Sequence, residues 1–239
     1  MENSFKVVGI ISSPNRNGNT AALVRAALKG AEEQGATVSE IFLAEHNLRF
    51  CTGCLACTAK GVCPLPDDFE SLRKIVYEAD GLIVGSPTYA SSYNAILKNF
   101  GERMGMLTLF TSSFGGKYAI GMSTANGKAA RKTAKEITGM FKMGFFQRAY
   151  ITGTLGVGIL SRGKQRNIAD NPAALAQARV LGAKIAKDIK TKNPYPLQNL
   201  LTRTITKLFM KPMMTKYILK NKDGREKATY ENLRLRGLI

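Results

Sequence analysis

Residues 5–20 read FKVVGIISSPNRNGNT. The apolar run from Phe5 to Ile11 is rich in β-branched residues and predicts a buried strand. Ser12 to Gly18 is polar, with one proline and one glycine, and reads as a loop. A helical pattern then runs from about Asn19 to Gln34. Strand, polar loop and helix make the opening half of a βαβ unit, and such units build parallel sheets. The loop opens a helix, where unpaired N–H groups and the helix dipole attract anions. Ser13, Asn19 and Thr20 add neutral hydrogen-bonding groups for a phosphate, and Arg16 adds a charge. The loop is neither a G-x-x-x-x-G-K nor a G-x-G-x-x-G loop, which disfavours ATP and a Rossmann-bound NAD.

Working outward, Thr37 to Leu43 alternates as a second strand, and Asp67 and Asp68 stand where they would cap a helix running to about Glu78. GLIVGSP, Gly81 to Pro87, is a third strand, continuously apolar as parallel strands are. A helix from about Ser92 to Met104, a strand from Tyr118 to Met122 and a basic helix from about Lys128 to Lys142 follow. A strand around Arg148 to Thr152 and a helix around Pro172 to Lys190 complete the series. The pattern predicts an α/β fold, a doubly wound five-stranded parallel sheet with helices on both faces. Ligands in such sheets sit outside the carboxyl ends of the strands. The loops there are Gly85-Ser86-Pro87-Thr88-Tyr89-Ala90 after strand three and Ser123-Thr124-Ala125-Asn126-Gly127 after strand four. Together with the first loop they suit a phosphorylated planar ring.

All four cysteines, Cys51, Cys54, Cys57 and Cys63, lie in CTGCLACTAKGVCP, spaced C-x2-C-x2-C-x5-C before Pro64. Ferredoxin-type runs read C-x2-C-x2-C-x3-C-P, so the first three positions and the proline match a [4Fe–4S] ligand set. Zinc usually takes two separate C-x2-4-C knuckles and fits a shared middle cysteine poorly. Reduced thiols without metal stay open as a third reading. His46, the one histidine, reads as a surface residue rather than a ligand.

The chain has 239 residues, with 35 Lys plus Arg against 17 Asp plus Glu, a formal charge of +18. At 44% hydrophobic and 22% charged its composition excludes wholesale disorder. No apolar run approaches the roughly 20 residues of a membrane span. MENSFKVVGIIS lacks a basic n-region and a small-residue cleavage site, which sets the expectation of a cytoplasmic protein. The charge alone invites a basic module for nucleic acid or a membrane surface. With three redox-suited loops and the cysteines in place, steering an acidic partner is the better use for it, and no specific nucleic acid is expected.

SSPNRNGNT, GSPTYASSYNAILKNF and the cysteine run between them resemble the NADPH-dependent FMN reductase-like flavoproteins, most of all the iron–sulfur flavoproteins. The resemblance implies a flavodoxin-like sheet of order 2-1-3-4-5 over residues 1–190, with a cysteine loop at 49–66. It implies FMN and a [4Fe–4S] cluster on the four cysteines, with redox electron transfer between one-electron and two-electron carriers. Ser13, Asn15, Asn17, Asn19 and Thr20 would line the FMN phosphate, and Pro87, Thr88, Tyr89 and Ala90 the ring. Ser123, Thr124 and Asn126 would meet the ring edge or ribityl chain. No side chain is assigned a catalytic acid–base role, since the redox chemistry belongs to the cofactors. The family's first loop usually reads G-S-P-R. Ser12 and Asn15 replace its glycine and arginine, and Arg16 is expected to supply the charge one position later. The partners implied are NAD(P)H or a small carrier such as an acidic ferredoxin, in a homodimer or homotetramer. A cluster-free NAD(P)H-dependent FMN or quinone reductase is the alternative.

Residues 191–239 change character. Pro194 and Pro196 stop the last helix, and LLTRTITKLFMKPMMTKYILKNK is apolar and basic without acid. This basic helical extension reads as an arm, either packed on a partner subunit or lying on a surface. Oligomerisation in the resembled family favours the subunit.

Overall fold

Side chains along the first strand, β1 (Lys6–Ile11), alternate between two cores. Val7 and Ile11 enter one, and Val8 and Ile10 enter the other. That period of two, apolar on both sides, is what a central parallel strand requires. The computed structural model describes residues 4–161, 164–165, 167–198 and 200–239. Strands β2 (Thr37–Phe42), β3 (Gly81–Tyr89), β4 (Tyr118–Ala125) and β5 (Tyr150–Gly158) complete a parallel sheet of order β2-β1-β3-β4-β5. One row across it reads Ile41, Ile10, Val84, Gly121 and Thr154. This is the flavodoxin-like order expected from the resemblance.

Helices α1 (Asn19–Glu32) and α6 (Pro172–Thr191) cover one face of the sheet. They meet closely through glycines. A Cβ on Gly182 would lie 1.7 Å from the Ala27 carbonyl oxygen, and one on Gly30 would lie 2.0 Å from that of Arg179. Helices α3 (Phe69–Glu78), α4 (Ala95–Thr111) and α5 (Ala130–Gly139) cover the other face, with Phe69, Leu72, Leu97, Phe100, Met104 and Ile137 in its core.

Element boundaries differ from expectation in several places, among them the strand from Tyr118, which runs past Met122 to Ala125. The strand after Gly81 runs on to Tyr89, turns through Ala90 (φ 46°) and Ser91 (φ 66°), and pairs antiparallel with Ser92–Tyr93. The expected helix at Ser92 therefore begins at Ala95, and it continues beyond Met104 to Thr111. Two positive φ values in a two-residue hairpin loop are the primed-turn geometry that matches strand twist. Strand β5 begins at Tyr150 and extends to Gly158, well past the expected Thr152. Asp68 stands at the N-cap of α3 without a side-chain capping bond, its Oδ2 instead accepting the Asn47 N–H at 2.8 Å, while Asp67 Oδ1 accepts the Phe69 N–H at 3.1 Å.

The extension folds back on its own chain. After α6, Tyr118 Oη donates to the Asn193 carbonyl at 2.9 Å, and burial pushes the Tyr118 phenol up to about 12. The Gln198 amide pairs with both the N–H and the carbonyl of Ile151, each at 2.8 Å, and so covers part of the β5 edge. The short helix α2 (Ala56–Lys60) lies within the cysteine loop. Helix α7 (Leu200–Ile205) leads through a π-helical turn (Thr206–Met210) into α8 (Lys211–Lys220), and α9 (Lys227–Leu235) follows. Pro212 has no N–H for the carbonyl four residues before it, which accounts for the wide turn just ahead. Tyr217 packs on Phe110 at 6.2 Å, and Arg236 donates to the Thr111 and Ser112 carbonyls at 2.6 and 3.1 Å.

Candidate functional site

Strand β1 ends in a loop fastened from beneath. The Ser12 N–H donates to the Gly85 carbonyl at 3.0 Å, and Asn94 Nδ2 donates to the Ser12 carbonyl at 2.6 Å. Asn94 also caps α4, its Oδ1 accepting the Leu97 N–H at 3.2 Å, so one side chain ties the first loop to the third strand's hairpin. Within the loop, Ser13 Oγ accepts the Asn15 N–H at 3.1 Å, and Asn15 Oδ1 accepts the Asn17 N–H at 3.0 Å. These are Asx- and Ser-type turns, which hold a short polar loop without secondary structure. Helix α1 starts at Gly18 with no side-chain cap and no acid in its first turn. Its dipole therefore faces the space above the sheet edge without local neutralisation.

That space is a cleft of about 580 Å³, within the usual range of small-molecule sites. Ser13, Asn15, Asn17, Asn19 and Thr20 line it on one side, Pro87, Thr88 and Tyr89 on the second, and Thr124 and Asn126 on the third. Its floor is tied by Thr20 Oγ1 and Thr124 Oγ1, 2.7 Å apart and buried. Thr88 Oγ1 is 2.9 Å from Ser123 Oγ and 3.0 Å from Thr133 Oγ1. Among the described residues lining the cleft none carries a formal charge. The site would hold an anion by N–H groups and neutral dipoles.

Three expected residues stand elsewhere. Ser123 is buried, donating to the Ser86 carbonyl at 2.7 Å, and it orients Thr88 from behind. Ala90 is in the hairpin turn, off the cleft lining. Arg16 does not bring its charge to the cradle. Its guanidinium pairs with Glu45, lies 3.8 Å from Glu40 and sits 5.5 Å from the Phe42 ring centroid. We expect Arg16→Ala to leave FMN affinity within about twofold of wild type, since an exposed pair of this kind contributes little. A tenfold loss in a fluorescence titration would return Arg16 to the cradle.

Ile159 and Asn167 also line the cleft, and sequence reasoning missed both. The Ile159 N–H donates to the Ala125 carbonyl at 2.8 Å, continuing the edge beyond β5. Asn19 Oδ1 accepts the Ile168 N–H at 2.7 Å, which holds the neighbouring Asn167 at the cleft lining. The available signal was the Asn167 and Asn171 pair, each of which caps a helical turn.

The cysteine loop is held at both ends by one buried ion pair. The side chains of Arg103 on α4 and Asp67 are 1% and 0% exposed, joined at 2.6 and 3.1 Å in a bidentate pair. Arg103 also donates to the Arg49 carbonyl at 2.8 Å, the Arg49 N–H donates to Asp67 at 2.8 Å, and the Arg103 guanidinium lies 4.3 Å over the Phe69 ring. Burial opposes ionisation of Asp67, but Arg103 and the N–H groups of Arg49 and Phe69 outweigh it and hold the carboxyl below its usual range. Asn99 Nδ2 adds a bond to the Leu48 carbonyl at 3.0 Å. At the far end the Cys63 N–H donates to Glu70 at 2.7 Å. The extension closes over α2: Thr58 Oγ1 is 3.0 Å from the Arg225 carbonyl, and Thr229 Oγ1 donates to the Thr58 carbonyl at 3.3 Å.

All four cysteines line one hollow with Leu65, Arg103 and Met106. Cys51 and Cys54 are exposed, and Cys57 and Cys63 are half-buried. Burial pushes the Cys57 thiol up, helped by Cys63, while the Ala56 N–H and the Thr52 hydroxyl bring the Cys54 thiol down. The donors fit a thiolate-ligated group in kind. Among the described residues no three His, Cys, Asp or Glu side chains form a group that could hold a single metal ion. His46 stands apart from this hollow, its Nδ1 3.8 Å from Asp68.

The sequence profile of the NADPH-dependent FMN reductase family matches residues 5–154. The chain belongs to that family. It is an oxidoreductase flavoprotein, and the cleft lies where the family's fold expects a ligand. An iron–sulfur flavoprotein of Methanocaldococcus jannaschii is 35% identical over 196 residues, 78% of this chain and 98% of that protein. One of Archaeoglobus fulgidus is 39% identical over 100 residues, 42% of this chain and 46% of that relative, so the alignment spans less than half of its length. A flavone reductase structure superposes with a TM-score of 0.63 at 20% identity, over 78% of this chain and 63% of that one, and shows the shared fold.

Proposed function

We propose that this flavoprotein binds FMN in the cleft and passes electrons between a two-electron donor, NAD(P)H, and a one-electron carrier such as an acidic ferredoxin. We further propose that Cys51, Cys54, Cys57 and Cys63 hold a [4Fe–4S] cluster. The observation that carries the FMN assignment is the convergence of three strand-end loops on one uncharged cleft at the N-terminus of α1. The α1 N-terminus, Ser13 and Thr20 would bind the phosphate. Thr88, fixed by Ser123 and Thr133, and Thr124, fixed by Thr20, would orient the ring and ribityl chain. Tyr89, exposed at the hairpin, would cover the ring from solvent. When bound, FMN supplies both hydride and single-electron chemistry, so the chain needs only to bind, orient and shield it. The cluster assignment rests on the cysteine spacing and on the relatives' names.

A second reading, a cluster-free NAD(P)H-dependent FMN or quinone reductase, rests on the matching family's description, which names an FMN reductase and no cluster. Anaerobic purification followed by absorption spectroscopy with flavin, iron and labile-sulfide assays separates the two. The first reading expects FMN with iron and sulfide in roughly equal amounts. Flavin without iron would leave the FMN site standing and sink the cluster. Absence of flavin after reconstitution with FMN would overturn both.

A further inference from the structure

The helical run from Leu200 to Lys220 is docked by one side only. Thr206, Met214 and Ile218 are buried against the protein, with Thr206 Oγ1 3.3 Å from an Arg148 guanidinium nitrogen. The opposite side carries Leu201, Ile205, Leu208 and Phe209, which are 74%, 45%, 60% and 68% exposed. Their spacing of i, i+4, i+7 and i+8 places them in one stripe. Lys216 and Lys220, both exposed, continue that side. From Ile189 to Lys222 the sequence contains no Asp or Glu.

We propose that this stripe is a docking face for an anionic lipid surface, on which the helix lies parallel to the membrane. No described helix is long and apolar enough to cross a bilayer, so the geometry is that of a surface-bound amphipathic helix. Charge decides between occupants. A second copy meeting this stripe with its own would bring another acid-free basic segment against the first, and like charges facing one another are disfavoured. Anionic headgroups complement the lysines, while the acyl boundary takes the leucines and the phenylalanine. A deformable lipid surface takes an exposed row of apolar side chains directly, whereas a protein surface needs a matching cavity for each anchor.

The test is flotation of the full chain with vesicles of phosphatidylcholine alone and with vesicles that also contain phosphatidylglycerol. The expected result is binding to the second kind only, weakening as salt rises. Leu208→Glu should weaken it at least tenfold, and Lys216→Ala about fivefold, the effect of one basic residue near an anionic surface. Both positions are exposed, so thermal unfolding should be unchanged, and Phe209→Ser provides a second, uncharged probe of the stripe. Three outcomes would overturn the proposal. One is no binding to phosphatidylglycerol vesicles at low salt. Another is binding that Leu208→Glu and Phe209→Ser leave intact, which is adsorption by net charge alone. The third is a wild-type dimer that Leu208→Glu dissociates in the absence of vesicle binding, which assigns the stripe to a second copy.

Discussion

Arg103→Met should lower the stability of the protein by about 3–5 kcal/mol at neutral pH, the usual cost of removing one partner from a buried ion pair. Asp67 would be left buried with only the N–H groups of Arg49 and Phe69. The loss should register first at the cysteine loop, because Arg103 bonds the Arg49 carbonyl before it and Asp67 after it. Hydrogen exchange at residues 49–66 should accelerate more than exchange in β1 or β3. Asp67→Asn combined with Arg103→Met removes both charges and should recover part of the stability, so the two substitutions are strongly non-additive.

The pH dependence has a definite sign. The folded-state carboxyl of Asp67 is depressed, so its contribution is fully present above the ordinary carboxylate range of about 3.9 and is lost as pH falls through its folded value. In Arg103→Met the same carboxyl is buried without its cation and binds a proton more readily. The stability gap between wild type and variant should therefore be widest near neutrality and narrow towards acid. Chemical denaturation at a series of pH values checks both parts. A gap that is small at pH 7, or that widens in acid, would show that the pair is not what holds the loop.

Parallel strands with continuous apolar runs were legible because burial on both faces leaves no polar alternation to confuse with anything else. Leu82, Ile83 and Val84 illustrate this, alternating between the two cores with all three buried. The hairpin at Ala90–Ser91 was not legible. Its two residues adopt the left-handed region without the glycine or asparagine that normally announces it, at a conformational cost of about 1–3 kcal/mol each. Strand β5 was cut short because Gly153, Thr154 and Gly156 give little apolar signal, yet its pairing with β4 carries it to Gly158. Gly156 is required by contact rather than by pattern, since a Cβ there would lie 2.3 Å from the Arg131 backbone nitrogen. In the site, residues flanking β1, β3 and β4 were readable from chain order alone. The destination of the Arg16 side chain was not, because Glu40 and Glu45 reach it from β2 and the turn after it. The return of α9 onto α2 was hidden for the same reason: no local pattern announces a contact between Thr58 and Thr229.

With Arg16 engaged elsewhere, charge in the cleft becomes the sharpest probe of where a phosphate sits. Asn15→Asp should weaken FMN binding about a hundredfold. The substitution is nearly isosteric, and an aspartate oxygen can still accept the Asn17 N–H now bonded to Asn15 Oδ1, so the loop keeps its shape. What changes is one negative charge on the cleft lining, where no described cation offsets it. Two unit charges about 5 Å apart at an effective dielectric near 20 repel by about 3 kcal/mol, and a dianionic phosphate leaves a margin for salt screening. Free of ligand, the same aspartate lies by the N-terminus of α1 and should leave stability unchanged or raise it by about 0.3–1 kcal/mol. Affinity and stability thus move in opposite directions, which a damaged loop could not produce. Riboflavin, which lacks the phosphate, supplies the internal control, and its binding should fall much less than that of FMN. Equal losses for FMN and riboflavin, or an unchanged FMN Kd, would place the phosphate away from the loop of residues 12–20.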